Sequence, residues 1–583
     1  MPSSSSSDPA LLALTASTAA SLITSALLWR SRSKSSSSSP PPSPPSSPLP
    51  FRAALTLPTP KPARVPAPPA ITPARSSPPP ETSTPPLANL ASPPPPRPPA
   101  LAGSGERRAA CDAADALLDG LLRRLRLHGV SHQVSAVGFS SMAMALVGVD
   151  AAGHPATPLL SYAASSPPAL ASAAALRASL PPAARERMRQ RTGCPVHACY
   201  APAQLRALGA DAWGRVSKFQ TLPALIAGRW TGNPGRLPVS YSEASWTGLL
   251  NWRELEWDAE TVEGVLPGGA AGKLPRLADF DEACEEARVT EASPYWARWP
   301  ELRAPRCRLF LGVGDGAAAN VGSRCGGGGG RVAATVGTSA AVRVVLEGEP
   351  GPGELVPEGL WCYRIDRNRR LVGGALTDGG SVVEWCRNLL GLKDDAEFLK
   401  VLKEIEEDRG AEWRKGGVDV VPFYSGERAT GWRGNATGVV ANLTRDSTRA
   451  DFLRANMEGL ALRLAAVVEK VRAAGGGAGG VIVASGGALD KNRALREMLA
   501  DCTGMDVRCL AEGEASSRGV AILVGEALER DAGEGGGGGR KEGLEDCEVA
   551  RPNEERARHY RVKRQVQERN IRAAEEGGVW DAL

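Results

Sequence analysis

The chain has 583 residues and a formal net charge of +5, long enough for three or four average domains, but 27 of its 48 prolines fall within residues 1–100. That stretch carries eight Lys or Arg against only Asp8 and Glu81, so residues 101–583 sum to −1 and a polyanion-binding body is excluded. Eleven cysteines, odd in number and scattered from Cys111 to Cys547 without a CxxC pair, exclude a disulfide framework and a zinc site and fit a reducing compartment.

In chain order, residues 10–29 hold no charge and precede Arg30, Arg32 and Lys34. Two readings meet there: a Ser/Ala tail without order, which the composition favours, and a single membrane anchor. Residues 35–100, with serine and proline runs, cannot bury enough apolar surface to offset chain entropy and are expected to be disordered or polyproline-like. Periodic structure starts near Arg107, where Ala114, Leu117, Leu118, Leu121, Leu122 and Leu125 recur at helical spacing. Residues 134–139 read as a short buried strand. Strands and helices alternate from there to about residue 530, the pattern of an α/β protein. A glycine run at 535–539 marks a linker. A charged helix over 553–576 follows, with Tyr560, Val562, Val566 and Ile571 as candidates for one inward face.

Three segments carry chemistry. Residues 309–323 read LFLGVGDGAAANVGS, a hydrophobic strand running into Gly312, Gly314, Asp315 and Gly316. Glycine on both sides of a carboxylate lets a ligand approach closely, and Asp315 there can take a proton from an alcohol. Gly-Asp-Gly is equally an ordinary turn. Residues 331–346 read RVAATVGTSAAVRVVL, two β-branched runs whose tip, Gly337, Thr338 and Ser339, offers backbone amides and hydroxyls to phosphate oxygens or simply turns a hairpin. Residues 481–489 read VIVASGGAL, a buried strand ending in Gly486 and Gly487, then a helix through Leu495 and Met498. Paired glycines at a strand end admit a nucleoside against backbone, or only turn the chain.

The order of these segments resembles the FGGY carbohydrate kinases, in particular the gluconokinase-like and xylulokinase-like branch. The resemblance rests on GDGAAANVGS, TVGTSA, LWCYRIDRNRRLVGGALTDGGSVVE at 360–384, VPFYSGER at 421–428, GVVANLTRDSTRADFLRANME at 438–458, ASGGALDKN and EASSRGVA at 514–521. It implies an α/β, two-domain actin and sugar-kinase (ribonuclease H-like) fold with the ligand cleft between the domains, behind a disordered N-terminal tail. The implied division is a tail at 1–104, an incomplete N-terminal, sugar-side domain at 105–304, a nucleotide-side domain at 305–531, and a linker with helix at 532–583. The implied reaction is ATP-dependent phosphorylation of a sugar or sugar-acid hydroxyl, with Mg²⁺ bridging the phosphates. Asp315 becomes the general base. Gly337, Thr338 and Ser339 become a phosphate loop, Gly486 and Gly487 the adenosine loop, and Gly379 and Gly380 line the nucleotide side. Ser141, Met142 and Asp315 face the sugar, and no side chain is assigned to a metal. The partner is a small-molecule sugar or sugar acid, without nucleic acid or membrane, in a cytoplasmic protein for which a homodimer stays open.

The departures from the family pattern bear on activity. Members open with a strand carrying an Asp-x-Gly-Thr phosphate loop, and this chain has no such motif; its nearest echo is FRAALTL at 51–57. The strand at 134–139 is accordingly expected to leave a sheet edge unpaired. On the sugar side, Ala143 and Met144, the run 161–166 (SYAASS) and the run 201–204 (APAQ) replace groups able to hydrogen-bond or stack on a sugar. Asn442 and Asn456 are milder changes. A kinase-fold protein that only binds nucleotide or a partner is therefore the alternative reading. An actin-type ATPase or chaperone shares the fold, and 438–458 together with HYRVKR at 559–564 count against it.

Overall fold

The computed structural model describes residues 24–29, 52–55, 104–142, 144–161, 166–326, 330–407, 417–510, 514–533 and 547–581, the first two segments and residues 104–109 by their backbone alone. The expected tail, apart from those two strands, and the glycine linker lie outside the described residues. No helix among the described residues is long and apolar enough to cross a membrane.

Two β-sheets carry the fold. In the first, Arg308–Gly314 runs parallel to Val134–Ser141, which pairs antiparallel with Thr24–Trp29, and that strand pairs with Arg52–Leu55. Two expectations are corrected here. The edge beside Val134–Ser141 is not left open, because Thr24–Trp29, inside the stretch read as an unstructured tail or anchor, satisfies its backbone groups. Arg308–Gly314, expected to open the second domain, belongs to the first sheet, so the boundary falls later than residue 305.

The second sheet has seven strands in the order Trp361–Arg364, Arg369–Leu376, Ala340–Glu347, Arg331–Val336, Val481–Ser485, Asp506–Cys509, Glu548–Ala550. Its central strands are nearly all apolar because helices cover them, chiefly Arg449–Ala473, whose Thr448 and Asp451 form a capping box, and Arg493–Thr503. The helix expected to run on from Gly487 is two pieces, Gly487–Lys491 and Arg493–Thr503, because Asn492 leaves helical geometry and caps the second through Leu495 N–H at 3.0 Å.

Each sheet has its own core, the first lined by Leu118, Leu122, Phe139, Trp230 and Trp299 and the second by Val342, Leu460, Ile482 and Leu495. A third apolar cluster, including Phe310, Val313, Ala317, Trp361, Tyr363 and Val520, joins them. Helix Ala515–Asp531 packs into that junction against helix Asp315–Asn320. Gly519 and Gly322 allow the approach: a Cβ on either would collide with the carbonyl oxygen of Ala318 or Ala515. All eleven cysteines are free thiols, nine of them buried.

The C-terminal helix, Glu554–Glu576, folds back as expected, but on a different face. Tyr560, Gln567, Ile571 and Ala574 point inward at helical spacing while Val562 is exposed.

Candidate active site

Asp315 is the first residue of helix Asp315–Asn320, immediately after strand Arg308–Gly314. The register sets Gly314 opposite Ser141, so the half-buried carboxylate stands where two parallel strands end together, the usual place for a ligand in such sheets. Its Oδ1 accepts the Gly316 N–H at 2.8 Å, and its main-chain carbonyl accepts the Ser516 hydroxyl at 3.3 Å.

The two glycines beside it serve a purpose other than the one expected from sequence. A Cβ at Gly314 would lie 2.8 Å from Trp246 Nε1, and one at Gly316 would lie 2.7 Å from Trp246 Cη2 and 3.2 Å from Arg343 Nε. They make room for the Trp246 indole, laid along Asp315. Trp246 stacks on Tyr363 with centroids 4.2 Å apart, Tyr363 stacks on Trp361 at 4.2 Å, and Tyr363 shares a 2.5 Å hydrogen bond with Tyr200. Sequence reasoning missed this aromatic row, since only the fold brings residues 200, 246 and 361–363 together.

Of the expected sugar-side residues, Ser141 points its hydroxyl at Glu243 Oε1, 3.3 Å away, while Met142 packs into the first core and presents no side chain to a ligand. Ala143 lies outside the described residues, as do residues 162–165. Glu243 is enclosed behind Gly312, with Thr221 Oγ1 donating to Oε2 at 2.9 Å. Burial outweighs these two hydroxyls and pushes its carboxyl up to about 7. His197, edge-on to Trp432, is driven down to about 3 by burial and then by Arg428 and Arg177, so its imidazole is neutral at physiological pH.

The expected nucleotide-side residues converge. The hairpin Arg331–Val336 and Ala340–Glu347 closes through Gly337, Thr338 and Ser339, all exposed at its tip. Gly379 and Gly380 donate their N–H groups to Thr338 O at 2.9 Å and Gly337 O at 2.7 Å, and Ser381 Oγ donates to Thr338 O at 2.7 Å. With its carbonyls occupied by the neighbouring loop, the tip is held as one rigid surface. Gly486, at φ +94°, brings the third segment in: a Cβ there would stand 2.6 Å from Val336 O, and one at Gly380 would stand 2.8 Å from the Ala488 Cβ. Gly487 has open space beside it, and Thr335 and Ser485 share a 3.1 Å hydroxyl contact under the tip. Asp378, next to Gly379, accepts from Ser425 N and Oγ at 2.7 and 2.8 Å, and burial raises its carboxyl above the ordinary range. Glu427 of the VPFYSGER run is buried and spans Arg463 at 2.9 Å and Arg433 at 2.7 Å, a structural clamp. Arg343, whose side chain reaches Gly316, lies on the second strand of the hairpin that residues 337–339 close and so links it to the Asp315 turn.

Residues 332–528 match the model of the FGGY family of carbohydrate kinases, C-terminal domain. The chain is 28% identical to a gluconokinase of Bacillus licheniformis over 298 residues, which is 49% of this chain and 54% of that protein. It is 29% identical to a glycerol kinase of Rhizorhabdus wittichii over 356 residues, 59% and 65% of the two. The chain thus spans about half to two-thirds of the length of these relatives. Its fold matches the crystal structure of gluconate kinase from Lactobacillus acidophilus with a TM-score of 0.66 at 21% identity, covering 80% of this chain and 89% of that one. Residues 332–528 thus form an FGGY carbohydrate kinase C-terminal domain, in a chain whose fold is that of the gluconate kinase structure.

Proposed function

We propose that the protein transfers the γ-phosphoryl group of ATP to a hydroxyl of a sugar, polyol or sugar acid. The observation that supports this reading is that Asp315 ends the first sheet beside Gly316, which Arg343 of the hairpin's second strand reaches, while the tip of that hairpin is braced by Gly379 and Gly380 and packed against Gly486. Asp315 takes the proton of the acceptor hydroxyl as its oxygen attacks phosphorus. The hydroxyls and amides of Thr338 and Ser339 hold phosphate oxygens, the Gly337 N–H being given to Ser339 O at 2.9 Å, and Gly486 and Gly487 leave room for the nucleoside. Mg²⁺, when it arrives with the nucleotide, neutralises phosphate charge. Eleven free thiols support a reducing, cytoplasmic location.

A second reading is favoured by one specific observation. The chain has no Asp-x-Gly-Thr loop, and the place beside Val134–Ser141 is filled by the antiparallel strand Thr24–Trp29. The phosphates are then gripped from one side, and turnover is slow or absent. Acceptor-dependent ADP release over gluconate, xylulose, ribulose and glycerol separates the two. Release that one acceptor raises well above the ATP-only background supports the kinase. No stimulation by any acceptor, with ATP binding retained in calorimetry, supports a nucleotide-binding protein without transfer.

A further inference from the structure

We propose that Trp246 is a positioning residue for Asp315, holding the base at a fixed place relative to the phosphate hairpin of the other domain; this rests on the kinase reading above. The argument follows the contacts outward from the base. The indole lies along both glycines that flank Asp315, close enough that neither position accepts a Cβ. Its other face stacks on Tyr363, which stacks on Trp361. Both belong to strand Trp361–Arg364, which pairs with Arg369–Leu376, and that strand pairs with Ala340–Glu347, the second strand of the phosphate hairpin. Trp361 also sits over Gly373, where a Cβ would meet its ring at 2.8 Å, and Gly373 is the register partner of Arg343. Arg343 in turn reaches back to Gly316. The circuit from base to hairpin is closed by packed groups, with Trp246 as the piece contributed by the first domain.

Two further features fit a positioning part. The Trp246 indole N–H is buried without a hydrogen-bond partner in the structure, so the ring is held there by stacking and by shape. Tyr363 also shares a hydrogen bond with Tyr200, which belongs to the first domain, so that domain holds the row at two points, Trp246 and Tyr200. Phosphoryl transfer is mostly a matter of placement, and a misplacement of about 1 Å can cost about 10²-fold in rate.

The test compares Trp246→Ala, Trp246→Phe and Tyr363→Ala in the full chain by two readouts: steady-state kinetics and hydrogen exchange of peptides covering 309–320. The expected result for Trp246→Ala and for Tyr363→Ala is a kcat lower by about 10- to 100-fold with KM for ATP within about twofold. Exchange over 309–320 rises in both. Trp246→Phe, which keeps a stacking ring, recovers most of the rate and the protection. The two alanine changes combined should cost little more than either alone, because they break one row. An unchanged kcat in Trp246→Ala, or equal impairment in Trp246→Phe, overturns the proposal. If the unaltered protein shows no acceptor-dependent turnover, the kinase reading fails on its own. Exchange then decides: protection lost in both alanine variants and regained in Trp246→Phe supports the positioning role, and protection unchanged in them contradicts it.

Discussion

Glu243 shows how an enclosed side chain sets a measurable property of the whole chain. Its carboxyl titrates near 7 in the fold against about 4.5 when the chain is unfolded. Between those values the folded state keeps a proton that the unfolded state has lost, so stability from this group is full below pH 4.5 and declines as pH rises through 7. Glu243→Gln keeps the shape, accepts one hydroxyl with its amide oxygen while its NH₂ can donate to the other, and does not titrate. The expected outcome of denaturant unfolding at pH 5 and pH 8 is a difference between unaltered protein and variant that moves by up to roughly 3 kcal/mol in the variant's favour at the higher pH. A difference independent of pH contradicts the assigned burial. The glycines of the nucleotide side make a second prediction at this scale. Gly379→Ala sets a methyl group 2.5 Å from the Ser339 carbonyl carbon and must displace the hairpin tip. ATP affinity should fall at least about tenfold by calorimetry, with a loss of stability of about 1–3 kcal/mol. Gly487→Ala, beside open space, should leave stability within about 1 kcal/mol.

Among elements, the C-terminal helix braces the loop that carries VPFYSGER. Gln567 donates to Val420 O and Gly459 O at 3.0 and 3.1 Å, and Lys563 lies 2.9 Å from Asp419. Beyond the helix, Trp580 is buried against Phe423 with centroids 5.9 Å apart. Trp580→Ala should therefore destabilise the protein by about 3–5 kcal/mol, read as a lower thermal midpoint, and loosen the 419–437 segment in hydrogen exchange. A midpoint unchanged within a degree contradicts the packing. How much of this was legible in sequence differs by element for physical reasons. The phosphate hairpin was readable because β-branched runs around Gly337 admit few other local structures. The end of the base strand was readable because an apolar run breaks at a Gly-Asp-Gly. Thr24–Trp29 was not, since its residues sit in Ser/Ala-rich composition and its partner lies more than a hundred residues away. The inward face of the C-terminal helix was misjudged at Val562 because polar Gln567, not a hydrophobe, fills the critical buried position. Met142 was placed at the sugar on resemblance alone, and only packing shows it turned into the core.

For the molecule as a whole, one design feature organises the rest: Asp315 and the hairpin closed by residues 337–339 stand on different sheets, and a third apolar cluster with helix Ala515–Asp531 ties the sheets together. Ion pairs reinforce the junction on the far side, where Arg367 of the second domain meets Asp279 of the first at 3.1 Å and Arg530 pairs with Asp281. On the kinase reading proposed above, that arrangement would bring a base and a phosphoryl donor together only when both domains are in place, so activity would be a property of the pair. It also explains why sequence order misled on the domain boundary, as Arg308–Gly314 returns to a strand some 170 residues earlier. The absent Asp-x-Gly-Thr loop leaves the transfer weakly clamped, and a slow reaction is expected, since one lost charge-stabilising element costs about 10²–10³ in rate. The most direct test of the central claim is transfer of the labelled γ-phosphate of ATP to the best acceptor, measured for the unaltered chain beside Asp315→Asn. The account predicts slow, acceptor-dependent transfer that Asp315→Asn lowers by about 10² or more while ATP binding is unchanged. Equal transfer in both proteins would contradict it.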